Sequence, residues 1–304
     1  MSSRNPNSLI DLKSLEKTKV RELFSVADAI SNGASRGENL KKYQGLTGAL
    51  LFFEPSTRTR MSFETATARL GVYPLLLDGG AGTSLEKGET LEDTVLNIAA
   101  MQPSFIVIRA GESLDMNAIN QQIDIPILNA GWGKAGHPTQ ALLDAYTIYK
   151  KLGTLEGQKV LIIGDVVHSR VAASHFELAK IMNYEVALCG PESFLPKNPA
   201  VRVFSNLEEG LKWSTAAMAL RVQLERHQEK HSLASYNSQY GLTKKNLAPL
   251  SQNALIMHPG PINHGVELDS EVLADSRCVV LDQVTSGVLI RQALVQNVLE
   301  KGNL

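Results

Sequence analysis

The chain has 304 residues, enough for two compact lobes that bury their own cores without crosslinks. Its formal net charge of −1, with acidic and basic residues dispersed along the chain, excludes a broad electrostatic footprint for nucleic acid or an anionic membrane, so any anion site must be local. The cysteines Cys189 and Cys278 stand apart without metal-ligand spacing, and no stretch has the apolar core of a signal peptide or the length of a membrane span. The composition therefore reads as a cytoplasmic protein with buried thiols, no metal and no cofactor.

Val20, Leu23, Phe24, Ala27 and Ile30 recur at helical spacing and predict an opening helix with one apolar face. A polar loop then leads to Gly48-Ala-Leu-Leu-Phe-Phe, which has the length and composition of a buried strand. Pro55 steers Glu54 away from helical geometry, and Ser62-Phe-Glu-Thr-Ala-Thr-Ala-Arg-Leu resumes with helical spacing. Ser56, Thr57, Arg58, Thr59 and Arg60 therefore fall at a helix start, where hydroxyls, a guanidinium and free N–H groups can cradle a phosphate. The same residues also fit an ordinary hydroxyl cap with a solvated arginine pair.

Beyond this point short apolar runs alternate with helical patterns. Strands are predicted at 104–108, 125–128, 159–163, 185–188, 216–220, 253–257 and 278–281, and helices at 91–101, 139–152, 170–182 and 284–299. Such alternation implies right-handed crossovers and mostly parallel sheets covered on both faces. The expected fold is α/β, with two doubly wound lobes and a site in the cleft between them. Gly153-Thr-Leu-Glu-Gly157 marks the boundary, giving a first lobe of 1–150 completed by a C-terminal helix at 285–304, and a second lobe of 151–284. The polar stretch 226–245 reads as a mobile excursion.

In open parallel sheets ligands bind beyond the carboxyl ends of strands, and here those ends carry chemistry. The first half offers Ser56, Thr57, Arg58, Thr59, Arg109, His137 and Gln140, a set suited to a phosphate and a polarisable carbonyl. The second offers Arg170, Arg221 and Gln223, suited to carboxylates, and His258-Pro-Gly-Pro261. Taken singly, His137 fits a core histidine as well as a ligand, and Lys87 fits a solvated loop residue.

The segments Phe-Phe-Glu-Pro-Ser-Thr-Arg-Thr-Arg at 52–60, Ser-Leu-Glu-Lys-Gly-Glu-Thr at 84–90, His-Pro-Thr-Gln-Ala-Leu-Leu-Asp at 137–144, His-Ser-Arg-Val-Ala at 168–172, Arg-Val-Gln-Leu-Glu-Arg at 221–226 and Met-His-Pro-Gly-Pro at 257–261 resemble the aspartate/ornithine carbamoyltransferase family. They run in family order through nearly the whole chain. On the acceptor side the pattern is similar to the aspartate branch, because Arg221-Val-Gln223 suits a side-chain carboxylate and the His-Cys-Leu-Pro segment of ornithine enzymes is replaced by His-Pro-Gly-Pro.

The resemblance implies transfer of the carbamoyl group of carbamoyl phosphate to the amine of L-aspartate, without a protein nucleophile. It assigns phosphate to Ser56, Thr57, Arg58 and Thr59, with Arg109 bridging phosphate and carbonyl oxygen, and the developing oxyanion to Thr59, Arg109 and His137. Gln140 and the backbone carbonyls near Gly260 and Pro261 would hold the carbamoyl amide, and Arg170, Arg221 and Gln223 the aspartate carboxylates. Ser84 and Lys87 would reach a neighbouring subunit's site, Lys87 toward aspartate, making the active unit a homotrimer with shared sites. The family also admits a regulatory chain or a dihydroorotase-like partner on a separate polypeptide.

The chain departs from the family pattern at Ala110, Trp132 and His264, none of which is assigned to chemistry. Rival readings are a carbamoyltransferase with another acceptor such as ornithine, a non-catalytic scaffold of the same fold, and a nucleotide-binding protein suggested by Gly164-Asp before a helix. The last lacks both the Gly-x-Gly-x-x-Gly fingerprint and a Walker lysine.

Overall fold

The structure is a computed structural model that describes residues 7–33, 42–79, 82–133, 135–222, 233–301 and 304. The chain divides into two units, Met1–Leu143 with Val284–Leu304, and Asp144–Gln283. Both divisions fall within helices.

In the first unit the opening helix α1 (Lys17–Ser31) buries Val20, Leu23, Phe24, Ala27 and Ile30, the stripe that its spacing predicts. The strand β1 (Thr47–Phe52) follows and is buried over all but its first residue. Helix α2 (Thr57–Arg69) returns the chain to β2 (Tyr73–Asp78), and a short 3-10 turn at Ser84–Lys87 precedes α3 (Leu91–Ala100). Then come β3 (Ile106–Ala110), α4 (Met116–Gln122), β4 (Ile127–Trp132) and α5 (Pro138–Leu152). The four strands pair in parallel in the order β2-β1-β3-β4, so the order reverses direction between β1 and β3. Ile10, Leu51, Val95, Ile106, Ile108, Ile119 and Ile127 form one core cluster, each such side chain contributing about 1.5–3 kcal/mol by leaving water.

In the second unit β5 (Lys159–Ile163), α6 (Arg170–Met182) and β6 (Glu185–Cys189) lead to the short strand β7 (Arg202–Phe204) and helix α7 (Leu207–Trp213). Strand β8 (Ala216–Ala219), helix α8 (Leu233–Tyr240) and β9 (Leu255–Met257) follow, before α9 (Val280–Leu299). The five strands are also all parallel, in the order β7-β6-β5-β8-β9, and here the order reverses between β5 and β8. The α/β class with two mostly parallel sheets is thus the one the alternating pattern predicts.

Besides α8, four elements were not legible in the apolar runs, and one expected strand is absent. β2, β7, α4 and α7 are short or half-exposed, so no continuous apolar run announces them. Residues 278–281 do not form a strand: Cys278 makes one isolated bridge to Ile256, and α9 already begins at Val280. An apolar run of that length fits either structure, and here the helix takes it. The polar stretch 226–245 also needs correction in part. Residues 226–232 lie outside those described, but 233–240 form α8, whose Tyr236 is 3% exposed.

Candidate functional site

In the first unit the parallel register sets Arg109 beside the end of β1. Phe52 stands opposite Arg109, and the Phe53 N–H donates to the Arg109 carbonyl at 2.9 Å, so the end of β1 and the end of β3 are neighbours. This is the point where the strand order reverses, the place where an open α/β sheet leaves a crevice for ligands. Ser56 is the residue before α2, and its side chain accepts no N–H from the helix. Ser169, at the same position before α6, accepts the Ala172 N–H at 3.2 Å, so the cap that serine readily makes is not made at Ser56. The N-terminal N–H groups of α2 thus keep their capacity for an anion.

Arg58 and Thr59 occupy the first turn of α2. Thr59 is buried, whereas Arg58 is exposed and, among the described residues, makes no side-chain hydrogen bond or ion pair. Protein volume around the Arg58 guanidinium still lowers its pKa from the ordinary value through desolvation. Arg60 is committed elsewhere, to Asp78 and, at 3.5 Å, to Glu64. Beneath the turn, the buried Arg291 of α9 donates to Ser62 Oγ at 2.7 Å, and Ser62 in turn donates to the Thr59 carbonyl at 2.9 Å. The cradle therefore rests on a buried polar support.

Arg109 is held by its own neighbours. Its Nη1 donates to the Ala130 carbonyl at 3.3 Å, and its Nε lies 3.8 Å from the Glu54 carboxylate. Glu54 is a partner that the sequence reading passed over. His137 precedes α5, whose first residue is Pro138, and its carbonyl accepts the Gln140 and Ala141 N–H groups at 3.0 and 3.2 Å. Both His137 and Gln140 are buried, and His137 Nδ1 lies 3.5 Å from Thr139 Oγ1. Ser84 and Lys87 sit on the exposed 3-10 turn and make no side-chain hydrogen bond or ion pair among the described residues.

In the second unit the order reversal between β5 and β8 places the turn after β5 beside the segment after β8. The buried Asp165 lies 2.8 Å from His168 Nδ1, and Arg170 opens α6 directly after the Ser169 cap. Leu220 N–H donates to the Ile163 carbonyl at 2.8 Å, which sets Arg221 next to that turn. Gln223 lies outside the described residues. After β9, His258 Nδ1 accepts the Gly260 N–H at 2.8 Å, which leaves Nε2 to donate to Glu267 Oε1 at 3.2 Å. The Gly260–Pro261 peptide is cis, and among the described residues neither carbonyl accepts a hydrogen bond. Two backbone acceptors are thereby available to a donor ligand.

Two of the three departures from the family pattern face each other. Ala110, fully buried, pairs with Trp132 in the β3–β4 register, and the Trp132 indole N–H donates to the Leu114 carbonyl at 2.7 Å. His264 Nδ1 lies 3.1 Å from Ser270 Oγ. Gly164, the residue behind the nucleotide-binding alternative, has φ +108°, and a Cβ there would come within 2.7 Å of the Tyr236 hydroxyl. Packing accounts for that glycine. Burial also pushes the Cys189 thiol up to about 12, which makes it an inert core residue. Among the described residues no group of His, Cys, Asp and Glu is placed to hold a metal, and no helix is long and apolar enough to cross a membrane.

Comparison with known proteins identifies the family and the fold. The family description "Aspartate/ornithine carbamoyltransferase, carbamoyl-P binding domain" matches residues 7–150, and "Aspartate/ornithine carbamoyltransferase, Asp/Orn binding domain" matches 156–298. The aspartate carbamoyltransferase catalytic subunit of Desulfitobacterium hafniense is 41% identical over 300 residues, covering 97% of this chain and 96% of its own. That of Gemmatimonas aurantiaca is 42% identical over 295 residues, covering 94% and 92%. Among solved structures, the catalytic subunit of M. jannaschii aspartate transcarbamoylase superposes with a TM-score of 0.85 at 28% identity, covering 97% and 98%. The Trypanosoma cruzi aspartate transcarbamoylase in complex with carbamoyl phosphate and aspartate gives a TM-score of 0.83 at 27% identity, covering 97% and 96%.

Proposed function

The chain belongs to the aspartate/ornithine carbamoyltransferase family, and from that premise we propose that it transfers the carbamoyl group of carbamoyl phosphate to the amine of L-aspartate. The products are N-carbamoyl-L-aspartate and phosphate, a step of de novo pyrimidine biosynthesis in the cytoplasm. The observation that carries the reading is the start of α2, an uncapped helix end with an uncommitted Arg58, which follows β1 at the order reversal of the sheet, where Phe52 pairs with Arg109. That arrangement suits a compact dianion.

The first unit then serves as the carbamoyl-phosphate-binding domain and the second as the aspartate-binding domain. Ser56, Thr57, Arg58 and Thr59 hold the phosphate with the helix N–H groups, and Arg109 spans phosphate and carbonyl oxygen. The neutral amine of aspartate attacks the carbamoyl carbon, forming the C–N bond and a tetrahedral intermediate. Negative charge gathers on the former carbonyl oxygen, where Thr59, Arg109 and His137 supply donors; one preorganised donor of this kind is worth about 3 kcal/mol. The C–O bond to phosphate then breaks, and the departing phosphate takes the amine proton.

The carbamoyl amide carries N–H groups that need acceptors, which Gln140 and the carbonyls of Gly260 and Pro261 provide. Arg170, Arg221 and Gln223 hold the two aspartate carboxylates. The exposed turn with Ser84 and Lys87 serves a neighbouring subunit, so the active unit is a homotrimer with shared sites. Incubation of the purified chain with carbamoyl phosphate and either aspartate or ornithine, followed by measurement of the ureido product, tests the reading. Product with aspartate is expected. Product with ornithine alone would overturn the acceptor, and product with neither would favour a non-catalytic scaffold.

A further inference from the structure

We propose that Gln283 is a positioning residue for the 258–261 loop and, through it, a determinant of preference for a carbamoyl over an acyl phosphate. The inference rests on the reading that the Gly260 and Pro261 carbonyls accept the carbamoyl N–H groups. It concerns what holds those carbonyls in place.

The loop is fixed at two points. At its start the His258 backbone N–H, just beyond β9, donates to Gln283 Oε1 at 2.9 Å. Two residues on, the Gly260 N–H is held by the His258 ring, which Glu267 orients from its far side. Glu267 Oε1 also accepts the Asn263 N–H at 2.6 Å, so the same carboxylate secures the chain beyond the loop.

Gln283 is itself locked. Its Nε2 donates to Asp144 Oδ1 at 2.7 Å, and Asp144 Oδ2 lies 3.2 Å from His175 Nε2. His175 Nδ1 in turn lies 2.9 Å from the Tyr184 hydroxyl. Gln283, Asp144 and His175 are at most 3% exposed, so water does not compete for these bonds. Only one orientation of the amide serves both neighbours, because a backbone N–H requires the oxygen and a carboxylate requires the nitrogen. The buried network therefore ties the His258 backbone to helices α5, α6 and α9.

This placement matters for selectivity because carbamoyl and acetyl phosphate share a shape and a phosphate but differ in one group. The first presents an N–H pair to the loop carbonyls; the second presents a methyl. A site built around such donors rejects the analogue that lacks them, and it does so only while the acceptors stay in place.

The experiment compares the inhibition constant of acetyl phosphate with the KM for carbamoyl phosphate, alongside the inhibition constant of inorganic phosphate. Gln283→Met keeps the length of the side chain but cannot accept the His258 N–H. Its ratio of acetyl to carbamoyl constants should fall about tenfold, a loss on the scale of one buried hydrogen bond, while inorganic phosphate binding stays unchanged. In the double variant Asp144→Asn with Gln283→Glu, an amide faces a carboxylate with the roles exchanged. That chain should regain the wild-type ratio.

A folded Gln283→Met chain with the wild-type ratio would overturn the proposal, as would a folded double variant that stays unselective. The double variant decides the matter if Gln283→Met does not fold. Absence of carbamoyl aspartate from the wild-type chain would instead refute the functional reading itself, before any variant is compared.

Discussion

Arg60 Nε lies 3.5 Å from Glu64, and its guanidinium also pairs with Asp78, whereas Arg58 on the same helical turn has no such partner among the described residues. A cation already neutralised by two carboxylates has little left to offer an incoming phosphate, while a partly desolvated one gains more from it than it would in water. Arg58→Ala should therefore lower kcat/KM for carbamoyl phosphate by roughly a hundredfold, the scale of a charge-assisted hydrogen bond lost in the transition state. Arg60→Ala should lower it only a few-fold and cost about 0.5–1 kcal/mol in urea unfolding, as exposed ion pairs do. Equal losses in the two variants would contradict this division. The candidates of the cradle were legible because Ser56 to Thr59 are adjacent, so the local sequence already contains the chemistry. Which arginine is spent was not legible, since Asp78 reaches Arg60 only once β2 pairs with β1. Gln283 and Asp144 were hidden for the same reason, their bond joining residues 139 positions apart.

At the scale of elements, β1 positions the cradle, and its placement depends on Gly48. A Cβ on that residue would run into the ring of Phe105, just before the neighbouring strand β3, because the ring lies flush against the Gly48 backbone. Gly48→Ala should destabilise the first unit by about 1–3 kcal/mol through overpacking, with part of the loss recovered when Phe105→Leu is added. Urea unfolding of the single and double variants checks this, and full additivity of the two changes would show that the contact is not the cause. The same strand also shows what an apolar run discloses. Gly48 to Phe52 is buried without interruption, and such a strand is readable as one block. β2 pairs with β1 on one side only, exposes Tyr73 and Leu76 and contains Pro74, so its sequence has neither the block nor a clean alternation. The segment 7–12 was hidden too. Leu9 bridges Leu128 on β4, and Asn129 Nδ2 donates to the Ile10 carbonyl at 2.7 Å, a pairing no local pattern specifies.

For the molecule as a whole, the turn at Ser84–Lys87 bears on assembly. Its polar residues are exposed and make no side-chain bonds among the described residues, although the turn lies between the cradle helix and α3. Local stability gives no reason for a lysine and a serine there, whereas a neighbouring copy in a closed ring would give both a ligand to hold. Under the proposed trimer each site takes Arg58 from one subunit and Lys87 from the next. Mixing equal amounts of dissociated Arg58→Ala and Lys87→Ala chains and allowing them to reassemble should then create sites that carry neither substitution. In a cyclic assembly with random mixing, about a quarter of the sites would be of this kind, since each requires the correct variant on both sides of an interface. Activity should rise from the low level of either parent toward about a quarter of the wild-type value, with the KM of the native sites. If mixed assemblies are demonstrated by mass and activity stays at the parental level, Lys87 acts within its own subunit or not at all. Recovery would also give a reason why the donor-side motif and the 84–90 segment share a lobe yet need not share a site.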